Sequence, residues 1–339
     1  MSTVHRNSIR DVAVLAAVSV GTVSNVLNKP ELVTPSTRDR VLAAVAELGF
    51  IRNGAARSLR AGESRIVGAI VLDIGNPFFT DVARGVEDRL AEAGRVLVLC
   101  SSDGDPARTK RYLDLLREQD LHGLLVTPTG GLDDLRVVAS SGVPVVLLDR
   151  HAGERDFCSV AVDDVKGGQL AGSHLFEQGH RRIGFLNGPA TTQACVDRGK
   201  GFRAACRKAG LDIATSLVEL TPGLNSAAGE RGAEELLAID EPVTAIACVN
   251  DLVALGVLRA LNRHGVAVPE DIAVIGYDDV EFASELSTPL SSVAQPRYAL
   301  GRTAADLLLA EASSNGTHVH RQVRYQPELV VRASSAARR

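Results

Sequence analysis

Between residues 66 and 278, short apolar runs recur at intervals long enough to hold a helix: Ile66 to Asp73, Val96 to Cys100, Gly123 to Thr127, Val143 to Asp149, Ile183 to Asn187, Ala245 to Asn250 and Ile272 to Asp278. Apolar strands that alternate with helical stretches pack as parallel sheets covered by helices, so this part of the chain is expected to be α/β. About 280 residues follow the first sixty, more than a single hydrophobic core usually holds, and two subdomains are therefore expected.

The first sixty residues obey a different pattern. In Ser8 to Asn28, SIRDVAVLAAVSVGTVSNVLN, two short apolar-periodic helices are joined by a tight turn. Ser8 can cap the first, with Asp11 reaching back three residues later, and Val12, Leu15 and Ala16 are expected on one face. Ser19 can cap the second, whose Val23, Val26 and Leu27 turn toward the first helix. Val20, Gly21, Thr22 and Asn25 are left outward at its N-terminal end, the part of such a helix that enters a DNA major groove. Val20 suits a thymine methyl, and Asn25 can pair with an adenine edge or with phosphate. A third helix is announced by Thr34 as N-cap and Pro35 in its first turn, continues through Val41, Val45 and Leu48, and stops at Gly49.

Charge divides along the same line. Residues 1–60 hold eight Lys or Arg against four Asp or Glu, a net of +4, which leaves −8 for the remainder to reach the chain's −4. A basic helix-turn-helix suits phosphate contacts, although a solvated basic face would carry the same charge. Asn53 to Arg60 is too short for a stable isolated helix but can fold on binding. Ala55 and Ala56 would let two copies approach, Leu59 would wedge into a minor-groove base step, and Arg57 or Arg60 would meet phosphates. The same segment would also serve as a plain linker.

In open α/β folds ligands bind beyond the carboxyl ends of the strands. Those ends are polar here: Asn76-Pro-Phe78-Phe79, Asp149-Arg150, Arg198, Asn250-Asp251, Asp278-Asp279 and Gln295. Carboxylates, guanidinium groups and amides beside aromatic faces match a polyhydroxylated sugar, whose hydroxyls both donate and accept. Singly, each residue has a simpler explanation, such as a turn at Asn76, an ion pair at Asp149-Arg150, an N-cap at Asp278 or a crossover hydrogen bond at Gln295. His180 precedes a strand and is read as structural. The five cysteines, Cys100, Cys158, Cys195, Cys206 and Cys248, lack CxxC spacing, so reduced thiols are expected rather than disulfides or a metal site. No GxGxxG, P-loop, HExxH or GxSxG occurs, no cofactor is implied and no enzyme is expected. No apolar tract of membrane-spanning length and no signal-peptide pattern is present, so a cytoplasmic protein is expected.

Taken together, DVAVLAAVSVGTVSNVLN, TPSTRDRVLAAVAELGF and NGAARSLRAG resemble the LacI/GalR family of transcriptional regulators. The resemblance implies an N-terminal all-α helix-turn-helix headpiece on a periplasmic-binding-protein-like α/β core of two Rossmann-like subdomains. It divides the chain into a headpiece at 1–52, a hinge helix and linker at 53–62, and a core at 63–339. The core's N-subdomain would span about 63–161 and 293–322, and its C-subdomain about 162–292 and 323–332. DNA contacts would come from Ser19, Val20, Gly21, Thr22, Ser24, Asn25, Asn28, Ala56, Leu59 and Arg60. The pocket would resemble that of ribose-type binding proteins and hold Asn76, Phe78, Phe79, Asp149, Arg150, Arg198, Asn250, Asp278 and Gln295. It departs from that pattern near Pro222, Gly223 and Leu224, where no aromatic ring stands. The partners implied are pseudo-palindromic operator DNA, a monosaccharide effector with D-ribose the first choice, and a second copy of the chain. No leucine heptads follow Ala333, so a dimer is the expected assembly. The alternatives are a regulator bound by a purine or other small metabolite and, outside this class, a sugar receptor that does not bind DNA.

Overall fold

The computed structural model describes residues 7–50, 64–151, 156–314 and 316–336, and the chain forms two compact units, residues 1–64 and 65–339. In the first, α1 (Ile9–Leu15) and α2 (Val20–Asn28) meet at 103°, and α3 (Pro35–Glu47) closes the bundle. Asp11 N–H donates to Ser8 Oγ while Ser8 N–H donates to an Asp11 carboxylate oxygen at 2.7 Å, so the first helix starts on the expected capping box. It ends at Ala17, which takes a φ of 51° while Val18 N–H reaches back to the Ala13 carbonyl. That left-handed turn re-aims the chain into α2. The core is Val12, Ala13, Ala16, Val23, Val26, Val41 and Ala44. Leu15, expected inside, is 44% exposed, because in so short a helix Val12, Ala13 and Ala16 already fill the contact face. Thr34 stands at the N-cap of α3 but forms no side-chain cap bond.

The second unit holds two six-stranded sheets. In the first part of the chain β1 (Ile66–Val71), β2 (Val96–Ser101), β3 (Leu121–Val126), β4 (Val145–Leu148) and β5 (Cys158–Val162) alternate with α4 (Pro77–Glu92), α5 (Pro106–Arg117) and α6 (Asp133–Ser140). The next part runs through α7 (Asp164–Glu177), β6 (Ile183–Leu186), α8 (Gln193–Lys208), α9 (Ile213–Ser216), β7 (Leu217–Leu220), α10 (Ser226–Leu237), β8 (Ala245–Cys248), α11 (Asp251–Arg263), β9 (Ala273–Asp278), α12 (Phe282–Glu285) and β10 (Ser291–Ala294). The chain then returns through α13 (Arg297–Ala312) and β11 (Gln322–Tyr325) before ending on β12 (Glu328–Val330).

Strand order is β11-β5-β4-β3-β1-β2 in one sheet and β12-β10-β9-β8-β6-β7 in the other. Among the described residues every pairing is parallel except β10 with β12. Buried aliphatic side chains cover both faces of each sheet, and each fully buried Leu or Ile contributes about 2 kcal/mol. The chain therefore crosses between the sheets after Val162, after Ala294 and after Tyr325. The last two crossings fall later than the sequence suggests. Val293 and Ala294 pair with β9, and Val323 to Tyr325 pair with β5, since ladder pairing decides the sheet to which these short, partly polar strands belong.

Candidate functional site

The N-terminal end of α2 presents a small, uncluttered surface. Ser19 Oγ accepts from Thr22 N–H at 3.0 Å and lies 2.9 Å from the Thr22 hydroxyl, which fixes the first turn. Val20 is 42% exposed, and Gly21 and Asn25 are exposed beside it, so a methyl group, a gap and an amide stand in one patch. Asn28 donates its amide to the Ser24 carbonyl at 2.9 Å and lies 3.2 Å from the Ser24 hydroxyl, an arrangement that stiffens the helix end. Ala56, Leu59 and Arg60 lie outside the described residues.

In the second unit, the carboxyl ends of the two sheets carry a buried ionic cluster. Arg198 comes from α8 and is 7% exposed. Its Nε donates to Asp164 at 2.8 Å, Nη1 donates to the Val249 carbonyl at 2.8 Å, and Asp278 lies 3.7 Å from the same nitrogen. The guanidinium sits 3.7 Å above the Tyr277 ring, whose hydroxyl donates to Asp164 at 2.9 Å. Gln295 donates to Asp278 at 2.7 Å, and Arg297 holds the Asp278 carbonyl. Asp149 faces this cluster from the end of β4, close enough to feel Asp164, Arg198 and Asp278. Among the described residues its Oδ1 is buried and without a hydrogen-bond partner, as is Gln295 Oε1.

Such orphaned acceptors in a native fold call for a reason. Backbone strain gathers at the same place: Asp149 has a φ of 51°, Asp278 of 104° and Asp279 of 51°, where side chains other than glycine are uncommon. Burial drives the Asp278 carboxyl up to about 6, against the opposing pull of Arg198 and the Gln295 hydrogen bond. Burial, with Asp164 beside it, pushes Asp149 well above the ordinary carboxylate range. The cluster thus offers acceptors and donors at fixed positions and low local dielectric, a setting that discriminates between polar ligands by whether each partner is matched.

The other expected pocket residues have local roles. Asn76 caps α4 by accepting from Phe78 N–H at 3.0 Å. Asn250 caps α11 by accepting from Val253 N–H at 2.8 Å and donates to the Leu224 carbonyl at 3.0 Å. Phe78 and Phe79 pack edge to face at 4.9 Å and are 2% and 5% exposed, and Arg150 donates to the Gly130 carbonyl in a neighbouring loop. His180 lies 2.9 Å from the Thr244 hydroxyl, a contact between segments rather than a site. Two important residues went unread in the sequence, Asp164 and Tyr277. Asp164 follows a strand, β5, that the apolar runs did not announce, and Tyr277 precedes Asp278 at a position indistinguishable from core.

Residues 8–53 match the family described as bacterial regulatory proteins, lacI family, and residues 173–335 match a periplasmic binding protein-like domain. The HTH-type transcriptional repressor PurR of Aliivibrio fischeri is 36% identical over 335 residues, covering 98% of this chain and 99% of that protein. Among solved structures, a LacI family transcriptional regulator from Enterococcus faecium with bound ribose superposes with a TM-score of 0.74 at 29% identity, over 81% of this chain and all of that one. The lac repressor dimer bound to operator and the anti-inducer ONPF superposes with a TM-score of 0.82 at 26% identity, over 98% of this chain and all of its own.

Proposed function

Because the chain belongs to the LacI family of bacterial regulatory proteins and is a DNA-binding transcriptional repressor, we propose that its effector is a monosaccharide, D-ribose first, held between Asp149 after β4 and Arg198 of α8 with Asp278 at the end of β9 and Gln295 after β10. The family is one of transcriptional regulators rather than enzymes, and operator DNA, a small-molecule effector and a dimeric state are typical of it. The working place of such a repressor is the cytoplasm.

The observation that carries the sugar reading is the orphaned Asp149 Oδ1 opposite the Arg198–Asp278–Gln295 network. A ring hydroxyl donating to Asp149 while accepting from Arg198 would satisfy both sides, and the ribose-bound relative holds its sugar in the same fold. One observation favours a purine instead: the whole-chain relative carries the name PurR. Closure of the two subdomains on the effector would shift the paired N-subdomains of a dimer and bias the segment at residues 53–62, with Leu59 as the proposed minor-groove wedge. Val20, Gly21, Thr22 and Asn25 would read bases.

Isothermal calorimetry and operator-binding anisotropy on the full chain, with D-ribose and with hypoxanthine, test the effector. Binding of ribose, with at least about tenfold weakening in Asp149→Asn, is expected, since one of the two carboxylate acceptors becomes a donor and the charge is lost. Asp149 is the better probe than Arg198, whose removal would leave the buried Asp164 with the Tyr277 hydroxyl but no opposite charge. Heat from hypoxanthine and none from ribose would overturn the sugar reading.

A further inference from the structure

At the amino end of the first sheet, the end opposite to Asp149, four side chains from three segments converge. Cys158 starts β5, Glu311 lies in the last turn of α13, and His318 and His320 precede β11. One donor atom from each lies within 4.8 Å of every other. Cys158 Sγ is 3.0 Å from His318 Nε2, and Glu311 Oε2 is 4.0 Å from that nitrogen and 3.7 Å from His320 Nδ1. In a tetrahedral zinc site, bonds of about 2.0 to 2.3 Å place neighbouring donor atoms roughly 3.3 to 3.6 Å apart. The observed separations bracket that range.

We propose that Cys158, Glu311, His318 and His320 bind one zinc-class divalent cation per chain, as a structural staple closing the α13–β11 connection onto the start of β5. The donor set suits such an ion: thiolate and carboxylate together neutralise its two charges, and two neutral imidazoles complete four ligands. Among the described residues, Glu311 Oε2 and His320 Nδ1 are both buried with no hydrogen-bond partner, although the Glu311 carboxyl group also meets the Val145 backbone and Cys158. Cys158 is fully buried, and its sulfur accepts from Arg321 N–H at 3.3 Å, the type of outer contact that orients a metal-bound thiolate. With all four positions supplied by protein, the site is closed and leaves no place for substrate. Local spacing gives no hint of it, because the cysteine stands more than 150 residues from its partners. The competing arrangement is a Cys158–His318 hydrogen bond beside a His320–Glu311 ion pair, which needs no ion.

Cobalt titration of the full-length, reduced, chelator-stripped protein decides between them. The expected result is one Co2+ per chain with tetrahedral ligand-field bands and a thiolate charge-transfer band, all displaced by Zn2+. Cys158→Ser should abolish the charge-transfer band. His320→Ala alters a ligand that is 28% exposed and is the variant best placed to keep the fold. It should weaken Co2+ binding at least about tenfold, since even outer-sphere substitutions cost 10- to 100-fold, and should remove the rise in the core's melting temperature on adding Zn2+. Circular dichroism and operator binding report folding, and if Cys158→Ser fails to fold, His320→Ala decides alone. Absence of the bands in the natural sequence, or bands unchanged in His320→Ala, would overturn the proposal. None of these outcomes depends on which effector the cleft takes.

Discussion

At Asp278 folding stability and the proposed effector role pull against each other. It is 2% exposed, strained at a φ of 104°, and its carboxyl is raised from 3.8 to about 6 chiefly by burial. A raised carboxyl favours the folded state while protonated: its contribution is complete below the unfolded value near 3.8 and is lost as pH rises through about 6. Asp278→Asn, neutral throughout, should therefore flatten the decline in core stability between about pH 4 and 6. At pH 7 it should raise unfolding stability by at most about 3 kcal/mol, each unit being worth 1.36 kcal/mol. Urea unfolding at pH 4.5 and 7.5 checks the sign, and a variant less stable than the parent at pH 7.5 would refute it. The same substitution should weaken the effector response, so stability and function move in opposite directions.

Among the elements, the α7–α8 pair bears most directly on the proposed effector site, because α8 carries Arg198 and α7 begins with its partner Asp164. The helices touch backbone to backbone: a Cβ on Gly168 would sit 2.1 Å from the Arg198 carbonyl oxygen, and one on Gly201 2.0 Å from that of Val165. Gly201→Ala must push the helices apart, with an expected loss of about 3 kcal/mol from overpacking. It should also loosen the Arg198–Asp164 contact, lowering effector affinity without changing operator affinity. Unchanged denaturation and calorimetry would show that the helices separate freely.

Elements also show what the sequence conceals. The helix caps at Ser8 and Ser19 and the long apolar strands were legible because cap chemistry and hydrophobic runs are local. The strands β7, β10, β11 and β12 were not, being three or four residues each, several of them polar, and defined by ladder pairing. At the proposed effector site, the residues closing obvious strands could be named, yet their division of labour could not. Asn76 and Asn250 looked the same as Asp149 in sequence, and only the structure shows that the asparagines cap helices while the Asp149 carboxylate keeps an unpartnered oxygen.

For the molecule as a whole, charge divides between the two units, +4 over residues 1–60 and −8 beyond, so the basic headpiece is the part suited to phosphates while the proposed effector site lies in the acidic remainder. Such a repressor works only if the units are coupled, and equilibrium coupling is reciprocal. If saturating ribose weakens operator binding 100-fold, about 2.7 kcal/mol of coupling, then saturating operator must weaken ribose binding by the same factor. A corepressor would strengthen both equally. Calorimetric titration of the effector into free and operator-bound protein, beside anisotropy of labelled operator with and without effector, measures both factors. Their ratio should be one within error at matched salt, and Asp149→Asn should bring both toward unity while leaving the operator affinity of the unliganded protein intact. Two reproducibly different factors would mean that oligomerisation or a second effector site enters the cycle. Loss of operator affinity in the unliganded variant would instead place Asp149 in the fold rather than in the cleft.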